Sequence, residues 1–580
     1  MKGMLGLLQY IKPYKLFAIL GPLFMCVEVA MDLLQPTIMQ MIIDTGIANS
    51  DNAYVIKFGL FMLLSAFIGL LGGVGSSIYA TKAAVNFATD IRRDVFRKTE
   101  QFSNRNTESF GTGKLITIVT NDLAAIQQAL MMTLRVFVRG PLLFIGSVVI
   151  VWMTARELFP VLLVAIPILI ICIYFFSVKS GKLFGLVQKA MDLVNTKLQE
   201  SLAGIRVIKA FDSGHYENSQ FTTVNANLTK RNLSAEQVVF TLMPIMMFVV
   251  NIAVVAGLWL GAIKVNEGSL QVGVILAFIN YLNIMLNGLM SSSNVLMQIT
   301  RSFPSAERVE QVLQTEIELD EPDNPEQHST IKGDIEFRQV NFSYSKNGEY
   351  VLKDISFEVK QGQTVGIIGS TGSGKSTLVK LIPRLYDPDT GEILIDGVNI
   401  KEYSLEELRS AIGFVPQKAI LFSGTIEDNL HYGKEDATEA EMEIAVESAA
   451  ASEFIQAFDD TYTHTLLQGA TNLSGGQKQR LSMSRAFIRD PKILVLDDST
   501  SAIDALSEAK VQQSLKQMFP QTTVVIISAK ISSIIHADKI LVMEDGMIEA
   551  MGTHEELVIT SKVYQDIYAT QNGKEDLSYE

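Results

Sequence analysis

Cysteine is almost missing: the 580 residues hold two, Cys26 and Cys172. Both lie inside apolar stretches with no second ligand at metal-type spacing, which argues against a disulfide framework or a metal pair and leaves packing as their reading. Charge is scarce as well, 19% of residues against 48% hydrophobic, and that ratio calls for a membrane portion. A cationic excess is lacking. The net charge of −14 repels phosphate, so no nucleic-acid partner is expected. The segment Met1 to Tyr14 has no small-residue cleavage site of a signal peptide, so the first long apolar run is expected to stay as a membrane helix. After residue 330 no apolar run is long enough to cross roughly 30 Å of hydrocarbon. A chain this long exceeds one core, and its apolarity is confined to one part.

Six stretches before residue 305 do reach that length: about 16–43, 56–81, 127–154, 158–178, 237–263 and 271–296. Later apolar segments are short and β-branched, as in Gln363–Ile368, Ile493–Leu496 and Thr523–Ile527. Composition changes across Glu316–Lys332, a polar stretch containing proline. The expected organisation is multidomain. An all-α six-helix transmembrane domain (1–315) and a linker (316–332) precede an α/β P-loop ATPase domain (333–580).

Two connections are long and basic. One carries Arg92, Arg93, Arg97, Lys98, Arg105 and Lys114; the other includes Lys179, Lys182, Lys189, Lys197, Arg206, Lys209, Lys230 and Arg231. The positive-inside rule puts them, both termini and the soluble domain in the cytosol. The apolar stripe Ile91, Val95, Phe96, Thr99 and Phe102 keeps helical spacing, so the helices are expected to continue beyond the membrane.

The strongest motif is Gly369, Ser370, Thr371, Gly372, Ser373, Gly374, Lys375, Ser376 and Thr377, between a β-run and an expected helix from Thr377 onward. Glycines let backbone N–H groups converge on phosphate oxygens, and the helix N-terminus adds partial positive charge. A bare Gly/Ser turn would match the letters but not the strand–helix frame. ATP and Mg²⁺ are the implied cofactors, with Lys375 on the β/γ-phosphates and Ser376 on the metal. The apolar strand Ile493–Leu496 then delivers Asp497, a second candidate Mg²⁺ ligand, followed by Asp498.

Between these motifs stands Leu473, Ser474, Gly475, Gly476 and Gln477 before a helical run. Here the chain resembles the ABC family, whose signature is this pentapeptide. Six spans followed by one nucleotide domain is similar to the type IV exporter half-transporter layout. The resemblance implies that each signature faces the phosphate loop of the other subunit, so that ATP lies between two domains. It further implies that Tyr344 stacks on adenine, a plain core aromatic being the other reading, that Gln417 touches Mg²⁺, and that Ser501 to Asp504 form the D-loop at the dimer interface. Segments near Phe110–Leu115 and Phe211–Tyr216 resemble the coupling helices on which membrane domains rest.

Two positions depart from the family. Asp498 stands where a catalytic Glu is usual, one methylene short, which withdraws the carboxylate by roughly 1.5 Å. A misplacement of that size costs on the order of 100-fold in rate. Ala529, in Ile527-Ser528-Ala529-Lys530, stands where the family has a switch histidine. With the signature intact, this pattern resembles the degenerate-site subunit of heterodimeric bacterial multidrug exporters in the cell membrane. It implies a second half-transporter as partner, with catalytic Glu, switch His and an altered signature.

Glu28, Asp32 and Gln35 share one face of the first span, and Glu28 lies at about the depth of Arg139. Two readings stand: a structural salt bridge, or a cavity lining for cationic amphipathic, drug-like cargo. Methionines 131, 132, 243, 246, 247, 285 and 290 fit either adaptable binding or membrane-bundle filler. Lipid flipping, an ATP-gated channel-like complex and a slow homodimer are the competing functions.

Overall fold

A computed structural model describes residues 2–319, 331–345 and 348–572. Most of the expected linker, residues 320–330, lies outside the described residues. The chain divides into two compact units, the first of residues 1–100 and 112–315, the second of residues 101–111 and 316–580.

In the first unit, among the described residues, six helices are long and apolar enough to cross a membrane. The main ones are α1 (Lys15–Met41), α2 (Asn52–Glu100), and, after the short α3 described below, α4 (Leu123–Thr154), α5 (Phe159–Ala203), α6 (Gly214–Asn266) and α7 (Val272–Gln314). The helices α2, α5 and α6 run for 49, 45 and 53 residues, about 70–80 Å at the α-helical rise. Far more than the hydrocarbon thickness, this accommodates the cytosolic extensions expected from the stripe at Ile91–Phe102.

Apolar side chains point outward as well as inward: Leu63, Phe240 and Trp259 are exposed, as suits a surface solvated by lipid or covered by another subunit. Inside, small residues permit close approach. The buried face of α2 carries Gly69, Gly72, Ser76, Ala80 and Ala83, and a Cβ at Gly72 would stand 2.9 Å from the Glu28 backbone nitrogen. The Tyr281 hydroxyl donates to the Leu33 carbonyl at 2.7 Å and meets Thr37 Oγ1 at 2.6 Å, tying α7 to α1. Of the methionines, Met246 and Met285 are buried, whereas Met243 and Met247 are exposed.

The second unit begins with α3 (Asn104–Phe110), capped by Ser103 and Asn106 in a reciprocal box. Of the expected coupling segment at Phe110–Leu115, Phe110 ends α3, Gly111 follows at φ +77°, and a second short helix, Thr112–Thr117, begins directly after it. Arg105 Nη2 donates to the Ser343 carbonyl at 2.7 Å, and the Tyr386 hydroxyl donates to Glu108 at 2.8 Å. In the first unit the turn at Phe211–Ser213 separates a short helix, Ile205–Ala210, from α6, with Phe211 and Tyr216 exposed.

The remaining elements build two main sheets. One has the order β2-β1-β4-β5: β1 (Ile335–Phe342), β2 (Leu352–Val359), β4 (Thr390–Ile395) and β5 (Val398–Asn399). The other runs β10-β9-β3-β8-β7-β6: β3 (Thr364–Gly369), β6 (Ile412–Val415), β7 (Ile493–Asp497), β8 (Thr523–Ile527), β9 (Lys539–Glu544) and β10 (Met547–Gly552). Strands β9, β3, β8, β7 and β6 are parallel, with Ile527 level with both Ile367 and Asp497. Burial on both faces explains their β-branched runs: Ile493 and Val495 enter one core, Leu494 and Leu496 the other. The carboxyl ends of β3, β7 and β8 therefore open side by side, where a doubly covered parallel sheet binds ligands.

Candidate nucleotide site

The loop after β3 leads directly into α8 (Lys375–Leu381), which starts at Lys375 rather than Thr377. Gly374, at φ +96°, precedes it, and a Cβ there would stand 2.8 Å from Leu352 Cδ2. Gly372, at φ +88°, faces open space, which leaves room for a ligand against the backbone. Lys375 Nζ donates to the carbonyls of Gly369 and Ser370 at 2.9 and 2.6 Å and lies 3.4 Å from Ser373 Oγ. Burial lowers its pKa, while Asp498 and Asp497 act to raise it. An ammonium bonded to neutral oxygens alone gains from an added anion.

The Ser376 hydroxyl donates to Asp497 Oδ1 at 2.8 Å. Burial raises the Asp497 pKa, opposed by that hydrogen bond. Gln417 Nε2 donates to Asp498 Oδ2 at 3.2 Å, and Asp498 Oδ1 is buried without a hydrogen-bond partner. A desolvated carboxylate pair with an orphaned oxygen, a hydroxyl and an amide suits a hard divalent cation, so these residues fit Mg²⁺. Thus Ser376, Asp497, Gln417 and Asp498 form a bonded group around the phosphate loop, although Asp498 and Gln417 lie far apart in sequence. Tyr344 is partly exposed, and its hydroxyl lies 3.0 Å from Thr377 Oγ1, which ties the tyrosine to α8.

The pentapeptide Leu473 to Gln477 lies at the start of α9 (Gly475–Phe487), and Gly475 lines the same pocket as Gln417. Leu473 is buried; Ser474 caps the helix, accepting from Gln477 N and donating its own N–H to Gln477 Oε1. Gly475 faces open space, and a Cβ at Gly476 would stand 3.0 Å from the Ala502 carbonyl. The Gly476 backbone is thereby packed on the Ser501–Asp504 loop. Asp504 caps α10 (Ala505–Met518) through Ser507, whose hydrogen bonds lower the Asp504 pKa. Ser528 and Ala529 follow β8, with Ala529 exposed. The motifs gave no sign of Gln571, which hydrogen-bonds both sides of this turn; a lone glutamine in a terminal helix carries no sequence signal.

This is a membrane helical bundle joined to a P-loop ATPase whose sheet brings the phosphate loop, the paired acids and the turn at Ser528–Ala529 together. The family profile described as "ABC transporter transmembrane region" matches residues 18–289, and that described as "ABC transporter" matches 352–501. The "uncharacterized ABC transporter ATP-binding protein YfiB" of Bacillus subtilis (strain 168) is 39% identical over 98% of this chain and 98% of its own. The "putative multidrug export ATP-binding/permease protein YgaD" of the same organism is 31% identical over 97% of this chain and 98% of its own. A solved "bacterial Atm1-family ABC exporter with ATP bound" shares the fold with a TM-score of 0.80, at 24% identity, over 98% of this chain and 99% of that one. The chain belongs to the ABC transporter family, as a half-transporter with its membrane region fused to its ATP-binding domain.

Proposed function

We propose that this chain is one subunit of a heterodimeric, ATP-driven multidrug exporter in the bacterial cell membrane, and that the site on its own phosphate loop holds ATP without hydrolysing it. Its pattern resembles the BmrC subunit of the bacterial pair BmrCD. The observation that carries the reading is Asp498 at the catalytic carboxylate position, bonded to Gln417, with Ala529 in the switch turn and the signature Leu473 to Gln477 complete. Gly369 to Thr377 hold the phosphates, Tyr344 the adenine, and Ser376, Asp497 and Gln417 the Mg²⁺; bound Mg²⁺ supplies charge neutralisation on the phosphates. Without a full-length carboxylate or a switch imidazole, water beside the phosphates is left poorly oriented. The signature serves the partner's competent ATP, with the D-loop around Asp504 alongside it.

Partner docking is supported by a groove of ≈ 450 Å³ in the ATPase domain, lined among others by Phe414, Tyr432, Arg409 and Arg485. An aromatic, basic groove suits a turn of aromatic and acidic residues from the other subunit. Purified alone with MgATP, the chain is expected to release phosphate negligibly. Brisk turnover would mean a homodimer with working sites.

For cargo, Arg139 Nη2 lies 3.3 Å from Glu28 Oε1 and 3.0 Å from Asp32 Oδ2. The salt bridge between the first and third spans therefore exists. Two carboxylates share one guanidinium there, and Glu28 Oε2 is buried without a hydrogen-bond partner. Acidic side chains at membrane depth favour a cationic amphipathic cargo. A Glu28→Gln/Asp32→Asn pair with unchanged drug-stimulated ATPase and transport would refute this; stimulation by phospholipid alone would favour a flippase, and ohmic ATP-gated current a channel.

A further inference from the structure

The turn after β8 is gripped from behind by the last described helix, α11 (Lys562–Asn572). The Gln571 side-chain amide donates through Nε2 to the Ala529 carbonyl at 2.7 Å and accepts through Oε1 from the Ile531 N–H at 2.8 Å. The two backbone groups have opposite polarity, so a single amide orientation satisfies both. Tyr564, Ile567, Tyr568 and Gln571 lie at i, i+3, i+4 and i+7 on one face. Tyr564 is fully buried with its hydroxyl 2.8 Å from His554 Nδ1, and Ile567 and Tyr568 pack against the same core. The glutamine is thus presented from an anchored helix. From the other side α10 holds the turn: Gln512 Nε2 donates to the Ser533 carbonyl at 3.1 Å, and Ser533 Oγ donates to Glu508 at 2.5 Å.

The grip matters because of what the turn supports. The Ile527 carbonyl, two residues before Ala529, accepts the Asp498 N–H at 3.0 Å. Asp498 sits at φ +45°, a left-handed conformation that persists only where surroundings enforce it. Its carboxylate meets Gln417. Ala529 itself has no polar side chain with which a nucleotide could order the turn, so order has to come from the protein side.

We propose that Gln571 is a positioning residue for the Mg²⁺-binding acid Asp497: by fixing the turn at Ala529–Ile531 it holds the Ile527 carbonyl, and through its bond to the Asp498 N–H the Asp497–Asp498 strand end, in the register that receives Mg²⁺ with ATP. This rests on the assignment of Asp497 to Mg²⁺ and is independent of whether the partner is a different chain.

The test uses the full-length chain in lipid nanodiscs and a fluorescent ATP analogue, titrated with and without Mg²⁺. Gln571→Ala is expected to speed hydrogen exchange at the Ile531 amide and weaken Mg²⁺-dependent binding on the order of tenfold, the scale of two lost hydrogen bonds. Mg²⁺-free binding should stay unchanged. Gln571→Glu keeps an acceptor for Ile531 N–H but loses the donor to Ala529, so its binding loss should come with retained protection at Ile531. Equal weakening with and without Mg²⁺ would reveal a general structural role and overturn the proposal. So would unaltered Mg²⁺ dependence in Gln571→Ala once Ile531 exchanges freely. If the wild-type chain binds the analogue with no Mg²⁺ dependence at all, the assignment of the acids fails first, and the proposal falls with it.

Discussion

Gln417 and Asp498 meet side chain to side chain, Nε2 to Oδ2, at 3.2 Å. The amide thus restrains one oxygen of the Asp498 carboxylate. If distance and the missing imidazole are what silence this site, restoring both should wake it. The variant Asp498→Glu with Ala529→His, purified alone, should form a homodimer with two complete sites and hydrolyse ATP at least about 100-fold faster than the wild-type chain. Phosphate release under saturating MgATP measures this. A silent double variant would place the defect elsewhere.

The acid beside it makes a second test. Burial raises the Asp497 pKa. An acid whose folded pKa lies above its unfolded value costs the fold nothing while protonated in both states. The cost appears as pH rises past the unfolded value of about 3.9 and is complete above the folded pKa. Asp497→Asn should therefore melt at higher temperature than wild type at pH 7 without Mg²⁺, with the gap closing toward pH 4. It should also lose the Mg²⁺-dependent part of ATP binding. Thermal melts of the full chain across pH, with and without MgATP, read both effects.

These two acids show how unevenly the site was written in the sequence. The phosphate loop and the strand ending in Asp497 were legible because glycine spacing and an apolar run are local patterns, and β3 and β7 carry them. The six spans were legible for the same reason: length and apolarity leave few alternatives in a bilayer. The helix Asn104–Phe110 was not legible, because its capping box at Ser103–Asn106 uses Asn where Glu or Gln is the usual signal. The links Gln417–Asp498, Tyr344–Thr377 and Gln571–Ala529 depend on how distant segments fold together. No periodicity encodes them.

Ser474 has a structural duty that can be separated from the role proposed for it. Ser474 closes a reciprocal cap on α9 with Gln477. Ser474→Ala should cost about 1 kcal/mol of stability while leaving the chain folded. If the signature completes the partner's site, the same change should abolish hydrolysis by the assembled pair. Ser474→Thr keeps a capping hydroxyl, so it should recover most of the stability. Melting curves and ATPase rates of the co-purified pair separate the two, and full activity in Ser474→Ala would remove the signature from the partner's chemistry.

The paired glycines of α2 test whether the charged cluster in the membrane is packing or binding. A Cβ at Gly72 would meet the backbone of α1, at 2.9 Å from Glu28 N and 3.0 Å from the Phe24 carbonyl, whereas one at Gly73 would meet the Glu28 carboxylate, 2.9 Å from Oε2. Backbone cannot retreat without moving a whole helix, but the end of a glutamate side chain can swing aside. Gly72→Ala should therefore destabilise the bundle by about 1–3 kcal/mol, seen as lower yield and earlier melting in detergent. Gly73→Ala should melt nearly as wild type while displacing Glu28 from Arg139. If the cluster binds cationic cargo, Gly73→Ala shifts the concentration at which a cationic drug stimulates the pair's ATPase and leaves drug-free activity alone. If stimulation is unmoved although Glu28 has been displaced, the cluster is a structural clasp between spans, and the cargo site lies elsewhere.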